Sequence, residues 1–301
     1  MTNKLQRSQI NKVLYEIHRD ISAPLSAKKL AQIAAYSEQH FHRVFKEVVG
    51  ETVNLYIRRT RLEHAASQLM FDHTSSVLSI AEKCGFISLS SFNKVFKTQF
   101  GITPGNWRQI DRHKSDQPYL ADAEINAGYQ RIKDRPLPKP KILLLTSQHV
   151  AYLRHQGYGR AIGNTWALLH AWAREEAIHC DYSPLDDVSL KGQQIGLYHS
   201  NPAWVKLDDC RYVACITIDT PITHRGVVNS LTIPGGLHAA FDLQGTYGEL
   251  LPWIGKILAL WLPGSGYKLQ TTPAFVHYRK NQFLSPDDAF DVRLFLPIST
   301  V

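Results

Sequence analysis

The chain has 301 residues with a hydrophobic content of 44%, enough for roughly two domains, each with its own core. Its formal net charge is +8, from 34 Lys and Arg against 26 Asp and Glu. No apolar run approaches the roughly 18–20 residues that a bilayer span requires, and the polar stretch MTNKLQRSQINKVLYEIHRD lacks the apolar region of a signal peptide.

Four cysteines (Cys84, Cys180, Cys210, Cys215) form no CxxC pair, which predicts reduced thiols in a cytoplasmic protein. The charge is unevenly placed. Through Ser115, 17 Lys and Arg face 9 Asp and Glu, whereas from Asp116 onward 17 face 17. An excess confined to the first third points to a polyanion partner for that segment, although an ordinary solvated basic face would give the same imbalance.

Residues 1–112 read as short helices in close succession. INKVLYEIHRDI (10–21) repeats apolar residues at helical spacing and stops before Pro24. LSAKKLAQIA follows with Ser26 as N-cap, AYS turns the chain, and SEQHFHRVFKEVV resumes with Phe41, Val44, Phe45 and Val48 on one face. VNLYIRRTRLEHAASQLMF (53–71) is one long helix with Leu55, Leu62, Ala65, Ala66 and Leu69 inward and Arg58, Arg59 and Arg61 near its start. SVLSIAEKCGF and SLSSFNKVFKTQFG then repeat the scheme of short helix, turn and second helix. Thr103-Pro104 opens a last short helix as N-cap and N1 proline.

The duplication is the informative feature. Ala31–Tyr36 matches Ala81–Phe86, and Phe41–Lys46 matches Phe92–Lys97. Two short helices joined by a tight turn follow the helix-turn-helix plan, whose second helix can enter a major groove. A spacer helix of about 18 residues is roughly 27 Å long. That would set two such helices about one DNA turn (~34 Å) apart, so one monomer could read two successive grooves.

The stretches GETVNLYIRRTRLEHAASQLM and IAEKCGFISLSSFNKVFKTQFGITPGNWR resemble the AraC/XylS family of bacterial transcription regulators. Asn93-Lys94 and Trp107 are mild departures from its pattern. The buried set of the two reading helices is expected to be Phe41, Val44 and Phe45 in one and Phe92, Val95 and Phe96 in the other. The opposite faces then carry the base contacts: Gln39, His42 and Arg43, and Leu89, Ser90, Asn93 and Lys94, positions that also match the family's. Arg43 suits guanine, and Gln39 or Asn93 suits adenine. Lys46, Arg58 and Lys97, with Ser37, Ser88 and Thr103 capping helices whose N–H groups face outward, are expected at phosphates.

From about Asp111 to Pro140 the chain turns polar, and residues 113–139 read as a linker. Residues 140–301 mix strands (KILLLT, HVAYLRHQ, RYVACITI, LHAAFDLQ, PAFVHYR, VRLFLPI) with two helices and contain a second repeat. Residues 151–172 line up with 239–261, matching Gln156-Gly157 to Gln244-Gly245, Gly159 to Gly248 and Trp172 to Trp261. The expected fold is therefore multidomain. An all-α domain with two helix-turn-helix motifs joined by a linker helix precedes an α+β domain of two pseudo-symmetric βαβ-type modules.

This half resembles the GyrI-like effector-binding domain through R-H-x-G, W-L-P-x-S-G-Y and the terminal VRLFLPI. The resemblance implies a cleft between two related halves that takes small, often lipophilic ligands, and Tyr152, Trp204, Tyr247, Trp253 and His277 are the pocket residues expected. Many relatives have Glu just before the aromatic of the strand; here Val276 and His277 stand there, which argues against a lipophilic cation.

No P-loop, GxGxxG, HExxH or GxSxG occurs, so no catalytic residue, metal or cofactor is expected. The reading is a cytoplasmic, DNA-binding transcription regulator, an activator, that is monomeric on double-stranded DNA, contacts RNA polymerase and responds to a small-molecule effector. A hydrolase, or a protein-interaction module without ligand, are the alternatives for the C-terminal half.

Overall fold

The computed structural model describes residues 4–110, 117–180, 191–222 and 227–300, and these divide into two units, one of 4–110 with 227–229 and the other of 117–222 with 230–300. Residues 113–116 of the expected linker lie outside the described residues.

In the first unit, α1 (Lys4–Arg19) starts six residues earlier than the apolar repeat suggested. It ends at Arg19 because Asp20 Oδ1 accepts from the Ser22 amide (2.9 Å) and hydroxyl (2.6 Å), turning the chain ahead of Pro24. Four helices follow as two pairs: α2 (Ala27–Ile33) with α3 (Glu38–Val49), and α5 (Val77–Lys83) with α6 (Leu89–Phe100). Between the pairs runs α4 (Val53–Phe71), and α7 (Pro104–Arg108) closes the unit. Side-chain hydroxyls of Ser26, Ser37, Thr52, Ser76, Ser88 and Thr103 cap α2 to α7, each accepting from the amide three residues on.

Each pair is built on an aromatic cluster. Phe41 meets Phe45 on α3, and Phe45 meets Tyr56 of α4, with ring centroids 5.6 and 5.8 Å apart, and Phe92 and Phe96 of α6 meet Phe86, Phe100 and Trp107. The four phenylalanines at 41, 45, 92 and 96 are fully buried, each worth about 2–3 kcal/mol in transfer from water. Val95, expected with them, is only half-buried. Along α4 the buried stripe runs through Val53, Tyr56, Ile57 and Thr60, leaving Leu55, expected inward, 40% exposed. The 3-4 spacing holds, but its phase is set by Tyr56, whose hydroxyl lies 2.7 Å from His18 Nε2.

The three arginines of α4 have separate fates. Arg58 is exposed. Arg59 is held by Glu51 (2.7 Å) and Glu63 (2.6 Å); burial opposes its charge, but the two carboxylates outweigh that and raise its pKa. Arg61 turns inward and donates to three carbonyls: Ile21 O (2.8 Å), Ala23 O (2.7 Å) and Gly85 O (2.9 Å). The first two precede α2 and the third lies in the α5–α6 turn, so one guanidinium ties both helix pairs to the spacer helix.

The second unit opens with a 3₁₀ turn (Pro118–Ala121) and α8 (Ala123–Ile132), within the segment expected to be linker. Asp122 caps α8 by accepting from the Glu124 and Ile125 amides, both at 3.0 Å. Composition concealed this helix because it buries only Ile125, Gly128 and Ile132. The sheet strands are β1 (Lys141–Leu145), β2 (Gln148–Gln156), β3 (Gln194–Tyr198), β4 (Arg211–Thr217), β5 (Asn229–Ile233), β6 (Gly236–Thr246), β7 (Tyr267–Leu269), β8 (Ala274–Lys280) and β9 (Ala289–Thr300). Helices α9 (Ile162–Glu175) and α10 (Leu250–Leu260) follow β2 and β6.

Strand order is β1-β6-β9-β8-β3-β4-β2-β5, with β7 on β9. The repeat is thereby resolved: β2-α9-β3-β4 corresponds to β6-α10-β8-β9. In each module the third strand inserts between the other two, so the expected βαβ is a split βαβ. The modules join where β3 runs antiparallel to β8, pairing Ile195 with His277 and Gly196 with Val276. Gly196 is required there, since a Cβ would stand 2.4 Å from the Tyr212 hydroxyl.

Two predictions follow from this packing. Arg61→Ala should destabilise the first unit by about 3 kcal/mol, because it strips a charged donor from three part-buried carbonyls. Arg61→Lys should recover little, lacking the planar fork. Chemical denaturation checks this; a loss under about 1 kcal/mol would mean that water satisfies those carbonyls.

His277 is 1% exposed, with burial and then Arg293 pushing its pKa from 6.5 to about 3. The fold thus favours the neutral ring. Stability is complete above pH 6.5 and declines as pH falls toward 3, by about 1.4 kcal/mol per pH unit for this residue. His277→Phe, whatever its effect at neutral pH, should flatten the acid decline of the sheet unit's melting temperature. Parallel declines in both proteins would show that the ring already reaches water.

Candidate nucleic-acid interface and effector cleft

In both helix pairs the turn passes through left-handed backbone, at Ala35 (φ 54°) and Gly85 (φ 80°), reversing the chain within a few residues. The aromatic cores then fix the roll of α3 and α6. With Phe41, Val44 and Phe45 inward, Gln39, Arg43 and Lys46 are exposed and His42 is half-exposed. Arg43 Nη2 donates to His40 Nδ1 at 3.2 Å, which steadies the guanidinium and leaves its other N–H donors available. His42 Nε2 lies 4.0 Å from Glu38 Oε1, one turn back.

On α6, Leu89, Ser90, Asn93, Lys94 and Lys97 are all exposed, and so is Arg58 of α4. The hydroxyls of Ser37, Ser88 and Thr103 accept from His40 N (3.3 Å), Ser91 N (3.1 Å) and Asn106 N (3.3 Å). Each serves as a cap first, and its own O–H remains free to donate outward. Ile87, beside Ser88, is fully exposed, an apolar side chain suited to a thymine methyl. Its signal was the run G-F-I-S, in which only the Phe and Ser were assigned roles.

In the second unit a small depression of about 30 Å³ sits over the β3–β8 seam, between the starts of α9 and α10. Its walls include Tyr158, Tyr198, Tyr247 and Phe283, with Ile125 of α8. Below it, Trp166 Nε1 donates to Tyr212 Oη (3.2 Å), which lies 3.1 Å from Tyr278 Oη, itself 3.4 Å from Tyr198 Oη. Burial raises the pKa of all three tyrosines, so this buried hydroxyl chain, which meets the depression at Tyr198, is neutral.

Of the five pocket residues expected, Tyr247 lines this depression. Tyr152, Trp253 and His277 are at most 5% exposed and belong to the core, and Trp204 is half-buried away from the lining. Aromatic density marks the interior of a sheet domain as readily as a cleft. Tyr158 could have been found from the repeat, because Q-G-Y-G (156–159) mirrors Q-G-T-Y-G (244–248) and places Tyr158 opposite Tyr247. Among the described residues no group of three or more His, Cys, Asp or Glu could hold a metal ion.

A profile described as a GyrI-like small molecule binding domain matches residues 138–299, and one described as a helix-turn-helix domain matches residues 30–110. The HTH-type transcriptional activator AarP of Providencia stuartii is 36% identical over 113 residues, 38% of this chain and 83% of AarP. RhaR of Klebsiella pneumoniae, another HTH-type transcriptional activator, is 32% identical over 104 residues, 34% of this chain and 36% of RhaR, so the chain spans little more than a third of that relative. A hydrolase structure from Listeria innocua overlays 56% of this chain and 96% of its own at 12% identity with a TM-score of 0.38, a likeness that carries no functional argument. The chain belongs to the family of GyrI-like small molecule binding domains and carries, in the helices ahead of that domain, an AraC-type helix-turn-helix region.

Proposed function

We propose that the chain is a sequence-specific transcription activator that grips two successive major grooves as a monomer and is controlled through its GyrI-like half. The observation that carries this reading is the pair of capped helices, α3 and α6, with buried aromatic stripes and outward polar faces, braced on one spacer helix. Gln39, His42 and Arg43, and Leu89, Ser90, Asn93 and Lys94, read base edges, joined by Ile87. Lys46, Arg58 and Lys97, with the helix starts at Ser37, Ser88 and Thr103, hold phosphates. The concentration of positive charge in the first 115 residues supplies the salt-sensitive part of the affinity.

The GyrI-like half binds an effector in the depression over the β3–β8 seam and acts without catalysis. Activation proceeds through contact with RNA polymerase in the cytoplasm. The names of AarP and RhaR as activators support this sense of regulation.

Arg43→Ala should weaken binding to the selected site by roughly 1–3 kcal/mol and flatten preference at one base, read by binding selection from a random duplex pool. Unchanged preference would remove Arg43 from the base contacts. Lys46→Ala should weaken binding evenly across sequences and lower the slope of log K against log salt by about one; a loss confined to one sequence would move Lys46 from phosphate to base.

A further inference from the structure

The depression over the seam is small, about 30 Å³, and α8 stands against it. Helix α8 contributes Ile125, 3% exposed, to its wall. At Gly128 the helix backbone presses on the turn that starts α10, so that a Cβ would stand 2.3 Å from Gly248 O. Two arginines pin the helix at either end. Arg160, between β2 and α9, pairs with Glu124 of α8 (2.6 Å) and with Asp288 (2.9 Å) while its guanidinium lies 4.2 Å from the centre of the Tyr247 ring. Arg131 of α8 pairs with Glu249 (2.6 Å) and donates to Tyr247 O at 3.3 Å.

Both pins converge on Tyr247, itself a wall of the depression. The Arg160 pairs are half-exposed, so water and salt screen them and they hold the helix only weakly. The seat at Gly128 is backbone against backbone, and besides it the helix buries only Ile125 and Ile132. So small a seat can open without unfolding the sheet.

We infer that α8 is a latch closed over the effector cleft, pinned by Arg131 and Arg160, and that a ligand enters by displacing it. The inference rests on the reading of the depression as the effector site and adds how that site is controlled. In the chain α8 lies between the DNA-binding helices and the sheet, so a ligand that lifts it acts on the segment joining the two. While α8 is seated, apparent affinity is reduced by the fraction of molecules in which the cleft is open.

The test uses the full chain and the neutral apolar fluorophore N-phenyl-1-naphthylamine. Arg131→Ala with Arg160→Ala, and separately Gly128→Leu, should each tighten the probe by about threefold or more, since both raise the open fraction. Saturating the wild-type chain with probe should speed amide hydrogen exchange in 123–132 while leaving β3 and β8 protected. Phe283→Ala should weaken the probe in every form. Equal probe affinity in all latch variants, with exchange of 123–132 unchanged, would overturn the latch and leave the cleft reading intact. Binding that ignores Phe283→Ala, or no binding even by Gly128→Leu, would overturn the cleft reading and the latch with it.

Discussion

The DNA-binding half depends on a single guanidinium. The aromatic cores of the two short helix pairs reach the spacer helix separately, one through Tyr56 and the other through Trp107, and do not meet each other. Arg61 supplies the missing tie by donating at once to the carbonyls at Ile21 and Ala23, which lead into α2, and to Gly85 in the turn between α5 and α6. The close approach also explains the glycine, since a Cβ at position 85 would stand 2.7 Å from the Arg61 guanidinium carbon. Burial lowers the pKa of Arg61 from 12.5, yet an arginine remains charged at any working pH and the tie does not titrate away.

Given that brace, the rest of the half follows from local rules. Asp72 ends α4 by accepting from Thr74 N (3.0 Å) and Ser75 N (2.9 Å); burial disfavours its charge, but those hydrogen bonds prevail and hold its carboxyl down at about 2. Trp107 Nε1 donates to Ala66 O (3.1 Å) and anchors α7 against the same helix. The spacer is therefore defined at both ends and attached along its length, as the proposed grip on two grooves requires.

The features legible in the sequence were those with strong local signals. Ser37, Ser88 and Thr103 mark helix starts, and α4 runs over the residues its pattern assigned, because caps and 3.6 periodicity are local. Pocket residues were harder to read for the opposite reason. Whether an aromatic faces a cleft or the interior is decided by strand order, and β4 and β9 insert between partners distant in sequence. Helix α8 escaped notice since the backbone it is seated against, at Gly248, lies 120 residues further on. Arg61 was grouped with Arg58 for the same cause: neighbours on a helix share composition, and only the fold separates an inward guanidinium from an outward one.

The second half carries no net charge, and its arrangement around the seam is neutral in detail as well. Where relatives were expected to show a carboxylate on β8, Val276 is fully buried and His277 is held neutral. The carboxylates that do approach the depression, Glu124, Glu249 and Asp288, are each paired with an arginine of the same unit. A charged ligand would therefore have to break one of those pairs as well as shed its own water, a double desolvation that a neutral ligand avoids. The aromatic walls of Tyr158, Tyr198, Tyr247 and Phe283 favour an uncharged molecule with a few polar groups over either a cation or an anion.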